Sequence, residues 1–422
     1  MRERRGRLED LRENESRDES RLSRLTACAT CLRARFWAGV PTLLLGLLPA
    51  YLFAQTASAP PKMSASAQKQ GATSPAFDAL AKQAETARQA NKTDEAIRLY
   101  QQAVHLKPSW SEGWWYLGTL YYDSDRYADG QDAFGHLTSL EPNMAVAWAM
   151  LGLCEFETKN YERALARLEK ADQLKVPEEL GFYDVSQYHL ALLLTRFGKF
   201  EEAMAIIARY ARKAKDSPNF VEAMGIATLR KPLLPSELPP LERELVMDVG
   251  RAMCDAASRR TADATTEMEA IVRKYPTTPQ VHFLYGMVML TNDPDKAIAA
   301  LKDELAISPN HAEALISLAG EYLRRTEYTT ALPYAEKAVL SKPGYFATYA
   351  MLGRVLVEGD IDIPRGTKQL ETAVKMAPGN PQARFALATA YTKAGRKEEA
   401  AKERAEFLRL RNQDTSTVAE QK

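Results

Sequence analysis

Cysteine and histidine are scarce in this 422-residue chain, with four of the first and five of the second. Four cysteines cannot build a disulfide-held scaffold on this scale. Cys28 and Cys31 form a C-x-x-C, but nothing around them reads as the strand–helix unit a redox motif needs. Cys154 and Cys254 fall on well-separated helical stretches and read as small buried residues. His105, His136, His189, His282 and His311 have no metal-ligand spacing, and no H-E-x-x-H is present. A Walker-type glycine-rich loop, a G-x-S-x-G and a P-C-x-x-C are also missing. The expectation is therefore no catalytic residue, no cofactor and no metal. Charge of one sign is lacking too. The formal net charge is +1, and from position 55 onward 46 basic residues face 48 acidic ones. A body this close to neutral gives no electrostatic case for nucleic acid, which demands a basic stripe.

Long apolar runs are absent with one exception. Trp37–Ala54, WAGVPTLLLGLLPAYLFA, contains no charge. Before it lies a mixed-charge leader, 1–36, with ten Lys/Arg and seven Asp/Glu and little hydrophobic periodicity; disorder is expected there. Arg33 and Arg35 precede the run, and small residues and Gln55 follow it. A basic flank, apolar core and small-residue exit describe a signal segment cut after Ala54 or Ala57. An uncleaved membrane anchor is the rival, although the run is barely long enough to span a bilayer. Either reading places the remainder outside the cytoplasm, periplasmic or secreted, and the Lys/Arg bias ahead of the run agrees. Residues 55–76 are rich in Ala, Ser, Pro and Gln and read as a flexible tether.

What the chain has in abundance is a repeat. Trp114–Pro142 holds Trp114, Leu117, Gly118, Tyr121, Phe134 and Pro142. Prolines close further units at Pro108 and Pro177, then at Pro276, Pro309, Pro343 and Pro378, spaced by 33 to 35 residues within each run. The aromatic and leucine positions recur at one face of a helix. Gly or Ala at the eighth position and Ala at the twentieth let two helices approach closely. Proline stops the second helix and sets the turn into the next unit. The pattern resembles the tetratricopeptide repeat. The matching residues include Ala84, Ala96, Tyr100, Trp148, Leu151, Gly152, Ala164, Leu318, Ala319, Tyr322, Leu352, Gly353, Leu387, Ala388 and Tyr391. Departures are Gly130 in an Ala slot, Glu155 in a Tyr slot and Gln187 in the first aromatic slot. The resemblance implies an all-α, right-handed superhelical solenoid of antiparallel helix pairs, and it covers 77–215 and 243–411. A polar tail, 412–422, follows a last helix expected to end near Leu410.

Between the two runs, 216–242 carries Pro232, Pro235, Pro239 and Pro240. Phe220–Arg230 reads as one helix. It is either unpaired, with an ordered loop packed against the solenoid, or part of a bend that splits the array into two arms or lines the binding surface.

The resemblance also implies a function, the binding of a protein or peptide on the concave surface lined by the first helix (A) of each unit. The second, fifth, ninth and twelfth positions face it. In the N-terminal run these give Trp115, Thr119, Tyr122, Leu153, Phe156, Tyr188 and Leu192, with Glu112 and Ala149. In the C-terminal run they give the less apolar Glu313, Ile316, Arg324, Arg354, Phe385 and Lys393. The competing reading packs Trp115 and Phe156 between A helices as core. An adaptor is expected, with an accessory to an envelope enzyme or export machine and a self-assembling structural protein as alternatives.

Overall fold

The computed structural model describes residues 74–178, 182–211 and 217–419. The leader, the apolar run and nearly all of the tether lie outside them. Among the described residues there is no strand and there are nineteen α-helices. Each unit of the repeat is an antiparallel pair, A then B. The first four pairs are α1 (Pro75–Gln89) with α2 (Thr93–Leu106), α3 (Ser111–Asp123) with α4 (Tyr127–Leu140), α5 (Ala145–Glu157) with α6 (Tyr161–Gln173), and α7 (Phe182–Arg196) with α8 (Phe200–Ala211). Next come α9 (Pro218–Thr228), α10 (Arg243–Ala257) and α11 (Thr261–Lys274). The C-terminal pairs are α12 (Val281–Met289) with α13 (Pro294–Ile307), α14 (Ala312–Arg324) with α15 (Tyr328–Ser341), α16 (Phe346–Glu358) with α17 (Ile363–Met376), and α18 (Pro381–Lys393) with α19 (Lys397–Ala419). The last helix runs past the expected end at Leu410, because no breaker stands between there and Ala419.

The small-residue rule holds where the spacing put it. Ala96, Ala164, Ala331 and Ala400 are almost wholly buried, as are Tyr100, Phe134, Leu168, Leu301 and Leu315. Each large apolar side chain so buried contributes about 1.5–3 kcal/mol. A second punctuation shares the period of the prolines. The turn from A to B passes through a left-handed residue at Asn91, Asp125, Lys159, Gly198, Arg259, Thr326, Asp360 and Gly395. The amide of the next residue then closes the helix end, as in Arg126 N to Tyr121 O and Arg396 N to Tyr391 O.

The helix between the two runs is not unpaired. α9 is buried at every position from Val221 to Leu229. It ends as A helices do, with Arg230 left-handed and Lys231 N bonded to Ile226 O. Its partner is α10. A Cβ placed on Gly225 would stand 1.9 Å from the Val246 carbonyl oxygen, and one on Gly250 would stand 1.9 Å from that of Val221. The two backbones therefore cross with no room for a side chain on either. The proline-rich stretch 231–242 is an insertion between the halves of a pair. α10 then turns into α11 through left-handed Arg259, as A helices do, so one helix serves both as B and as A.

Candidate functional site: the inner helix row of the N-terminal run

A helices of successive units touch one another, α5 with α7 and α7 with α9, so their facing sides form one continuous row. The structure divides the seven expected groove residues in two. Trp115, Leu153 and Leu192 are buried, with 3%, 1% and 5% of their surface exposed. Trp115 meets Phe134 and Phe182 edge-on, at ring-centroid distances of 6.0 and 5.8 Å. Phe182 comes from the second unit along, which is why Trp115 is sealed. These three residues have no surface left for a partner, and Ala149 is buried too. Thr119, Tyr122, Phe156 and Tyr188 are half-buried, while Glu112 is exposed.

Three of those four belong to a longer file of rings. Phe156 stands edge-on to Tyr161 at 5.6 Å and to His189 at 4.7 Å. His189 meets Tyr188 at 5.4 Å, and Tyr188 meets Phe220 at 5.2 Å. Tyr122 meets Tyr127 at 5.3 Å, one unit earlier. Edge-to-face pairs at such distances hold ring orientation while leaving faces available. Sequence reasoning missed His189, Phe220, Tyr127 and Tyr161. A signal existed for the two tyrosines, since both open a B helix, one repeat apart. Phe220 was hidden because its helix was not recognised as an A helix.

Burial governs the electrostatics of this face. It pushes the Tyr188 hydroxyl up to about 12 and raises that of Tyr122 further, with Glu157 adding to the latter. His189 donates from Nδ1 to the Val185 carbonyl at 2.7 Å, and burial lowers its pKa. Asp123 and Glu157 end α3 and α5. Both are open to solvent, yet surrounding protein raises both carboxyl pKa values, with Asp125 contributing at Glu157.

Three departures from the repeat pattern find their reasons nearby. A Cβ at Gly130 would stand 2.9 Å from the Cys154 sulfur, so the thiol fills the space an alanine would use. Glu155 is 4% exposed and faces Arg167 at 3.7 Å. Gln187 donates to Asp172 at 2.7 Å. Cys154 and Cys254 are free and buried, and burial pushes the Cys254 thiol up to about 11.

The C-terminal inner face differs in kind. Glu313 pairs with Lys342 at 2.8 Å and lies 3.6 Å from Arg230, which follows α9. Arg324 pairs with Glu321, Arg354 with Glu358 and Lys393 with Asp360. Ile316 is half-buried. Phe385 is 55% exposed, rests on Phe407 at 5.3 Å and lines a groove of about 400 Å³ with Arg354 and Thr389. Among the described residues no group of three or more His, Cys, Asp or Glu could hold a metal, and no helix is long and apolar enough to cross a membrane.

The repeat matches a known family model. The tetratricopeptide repeat family model matches residues 81–130, 117–175 and 362–414, so the chain carries tetratricopeptide repeats. Human protein O-mannosyl-transferase TMTC3 is 20% identical over 303 residues, 71% of this chain and 26% of that protein. The chain thus spans about a quarter of the length of the curated relative it matches. Among solved structures, MamA from Desulfovibrio magneticus RS-1 (residue 41 to its end) is 19% identical, with 40% of this chain and 94% of that one covered and a TM-score of 0.36. MamA of AMB-1 is 21% identical, with 40% and 91% covered and a TM-score of 0.33.

Proposed function

We propose that the protein is a non-catalytic adaptor, exported or membrane-tethered, that binds a protein or peptide along the inner helix row of its N-terminal run. The observation that carries this reading is the file of half-buried rings Phe156, His189, Tyr188 and Phe220 on three successive A helices. Half-buried aromatic rings offer large contact area at low entropic cost, and such residues dominate protein-binding hot spots. The inner row also joins three units, so an extended segment lying along it would contact each in turn. Export rests on the uncharged run 37–54 with its basic flank.

The test is affinity capture from solubilised envelope with the wild-type chain and with Tyr122→Ala/Tyr188→Ala, followed by mass spectrometry. The double variant should remain folded and lose its captured partner. Equal capture by both would remove the inner row from the binding surface.

A further inference from the structure

The second residue after a closing proline stands at the head of the next A helix, and its side chain decides how that helix begins. Trp110, Met144 and Tyr345 hold this place before α3, α5 and α16 and give no side-chain cap. Asn380 and His311 do. Asn380 Oδ1 accepts from Ala383 N at 2.9 Å and opens α18. His311 Nδ1 accepts from Ala314 N at 3.1 Å and opens α14. A backbone N–H is always a donor, so Nδ1 carries no proton and the imidazole is neutral. Its proton lies on Nε2, which donates to Gln280 Oε1 at 2.7 Å. Gln280 is the left-handed residue at the head of α12. Its own amide is held by the buried Glu304, which also accepts from Phe283 N. The His311 side chain is 8% exposed, and its ring lies 4.7 Å from that of Phe283.

Charged groups face this imidazole from several elements. On α14 itself the Glu313 carboxylate lies 3.6 Å from Nδ1. From α13 comes the charge of Glu304. From the end of α9 comes Arg230, whose guanidinium lies 3.6 Å from Glu313 and pairs with Glu201 at 2.6 Å. Lys342, just past α15, holds Glu313 at 2.8 Å. Burial lowers the His311 pKa from its ordinary 6.5, and Arg230 adds to that, against the pull of Glu304 and Glu313. Neutral imidazole is therefore the resting form. A second proton would sit on Nδ1, facing the Ala314 N–H. Two donors would then meet where a cap had been, with a cation at the positive end of a helix. The acceptor at hand for the new proton is the Glu313 carboxylate, which is also the partner of Arg230 across the junction of the two runs.

We infer that His311 is a proton-operated latch: neutral, it caps α14 and leaves Glu313 to Arg230 and Lys342; protonated, it releases the cap, takes Glu313 and loosens the tie between the end of α9 and α14. The step needs one proton from solvent, taken up at Nδ1. Asn380 fills the same slot with a side chain that does not titrate, so these two caps answer acid differently. Because burial favours the neutral form, His311 stabilises α14 fully above its ordinary value, and that contribution is lost as pH falls through the lower folded value. The latch goes beyond the binding reading and does not depend on it.

The experiment compares the full chain with His311→Asn, which copies the cap made by Asn380, by hydrogen–deuterium exchange at pH 7.5 and pH 5.5 after correction for intrinsic rates. In the wild type, acid should lower protection about fivefold or more at the first turn of α14, residues 312–316. It should also lower protection at 226–231, where α9 ends. His311→Asn should keep its protection at both places. The first turn of α18, capped by Asn380, should be unchanged in both chains. A wild type unchanged by acid overturns the inference, and so does equal loss in the two chains. Loss at α14 with none at 226–231 would leave a cap and no latch, and overturns it too. A second measurement uses the wild type alone. Long-range proton–nitrogen correlation of the imidazoles, with His311 assigned through its contact with the Phe283 ring, reads the tautomer directly. The Nε2–H form at pH 7.5, titrating with a midpoint below 6.5, is the expected result. The Nδ1–H form, or a midpoint at or above 6.5, overturns the latch whether or not the variant folds.

Discussion

The two inner faces of this chain are built on the same helix pair and end up chemically opposite. In the N-terminal run, half-buried rings file past Asp123 and Glu157, which have no ion pair among the described residues. In the C-terminal run the corresponding positions carry Glu313, Arg324, Arg354 and Lys393, and each is locked in an ion pair with its own chain. Scaffold residues of both runs obey one rule, since a unit cannot bury its apolar face alone and must stack. The outward side of the same helices is free to differ. The contrast teaches that binding capacity in a repeat is read from what is left unsatisfied. A C-terminal inner face with its charges already paired offers an incoming chain little electrostatic gain, because each new contact would replace an existing one.

The largest blow to the comparison falls between the two regions. Gly225→Ala would place a Cβ 1.9 Å from the Val246 carbonyl oxygen, a backbone atom that cannot step aside without moving α10. Overpacking of this kind costs about 1–3 kcal/mol, and backbone collisions sit at or above the top of that range. Urea denaturation followed by circular dichroism should show strong destabilisation. It should also show whether the runs melt together, as neighbours coupled through α9 and α10 would, or in two steps. A single unchanged transition would mean that the crossing is looser than the structure places it.

Next in size is the fifth position of the repeat, which pits Trp115 against Ile316. Trp115→Ala should cost roughly 3–5 kcal/mol, since it empties a site closed by Phe134 and Phe182. Ile316→Ala, at a half-buried site, should cost under about 2 kcal/mol. Tyr122→Ala should cost less than Trp115→Ala and act on capture instead. The reverse order in thermal melts would return Trp115 to the groove.

These residues also mark how far the sequence could be read. Helix pairing, pitch and the buried small positions were legible because they repeat, and periodicity is a property of sequence alone. Which groove positions stay open was not, because burial depends on what arrives from other units. Trp115 and Tyr122 lie on the same helix side, and the rings of Phe134 and of Phe182, two units on, seal the first and not the second. The identity of α9 as an A helix was hidden because 231–242 carries its partner far beyond the usual spacing. The left-handed turn residues went unseen because six of the eight are not glycine. Gly130 could be noted as an exception but not explained, since its reason is a sulfur on the neighbouring unit. That explanation gives a medium-sized prediction. Gly130→Ala should destabilise by about 1–3 kcal/mol, and Cys154→Ala in the same chain should recover much of the loss. Additive costs in the double variant would show that the two sites do not share the space.

The smallest effects should differ in sign between the two faces, and pH sets the window. The carboxyl pKa of Glu313 is lowered despite burial, chiefly by hydrogen bonding to Lys342. Its contribution to stability is therefore present above the unfolded value and lost as pH falls through the folded one. Glu313→Gln should lower stability by about 1 kcal/mol near neutrality, with the difference closing as acid protonates the wild-type carboxylate. Asp123 and Glu157 run the other way. Burial raises both above their ordinary values of 3.8 and 4.5, so their favourable contribution is complete below those values and disappears as pH rises through the folded pKa. Around them stand Asp125, Tyr122, Tyr127, Tyr161 and Cys154, and the guanidinium nearby, Arg196 over the Tyr161 ring, is paired with Glu237. Asp123→Asn/Glu157→Gln should consequently melt slightly higher than wild type at pH 7 to 8 and lose that advantage as pH drops toward 4. Melting curves across that range decide the matter. A double variant less stable than wild type at neutral pH would mean that the two carboxylates are held by contacts of their own, and the two inner faces would then be alike.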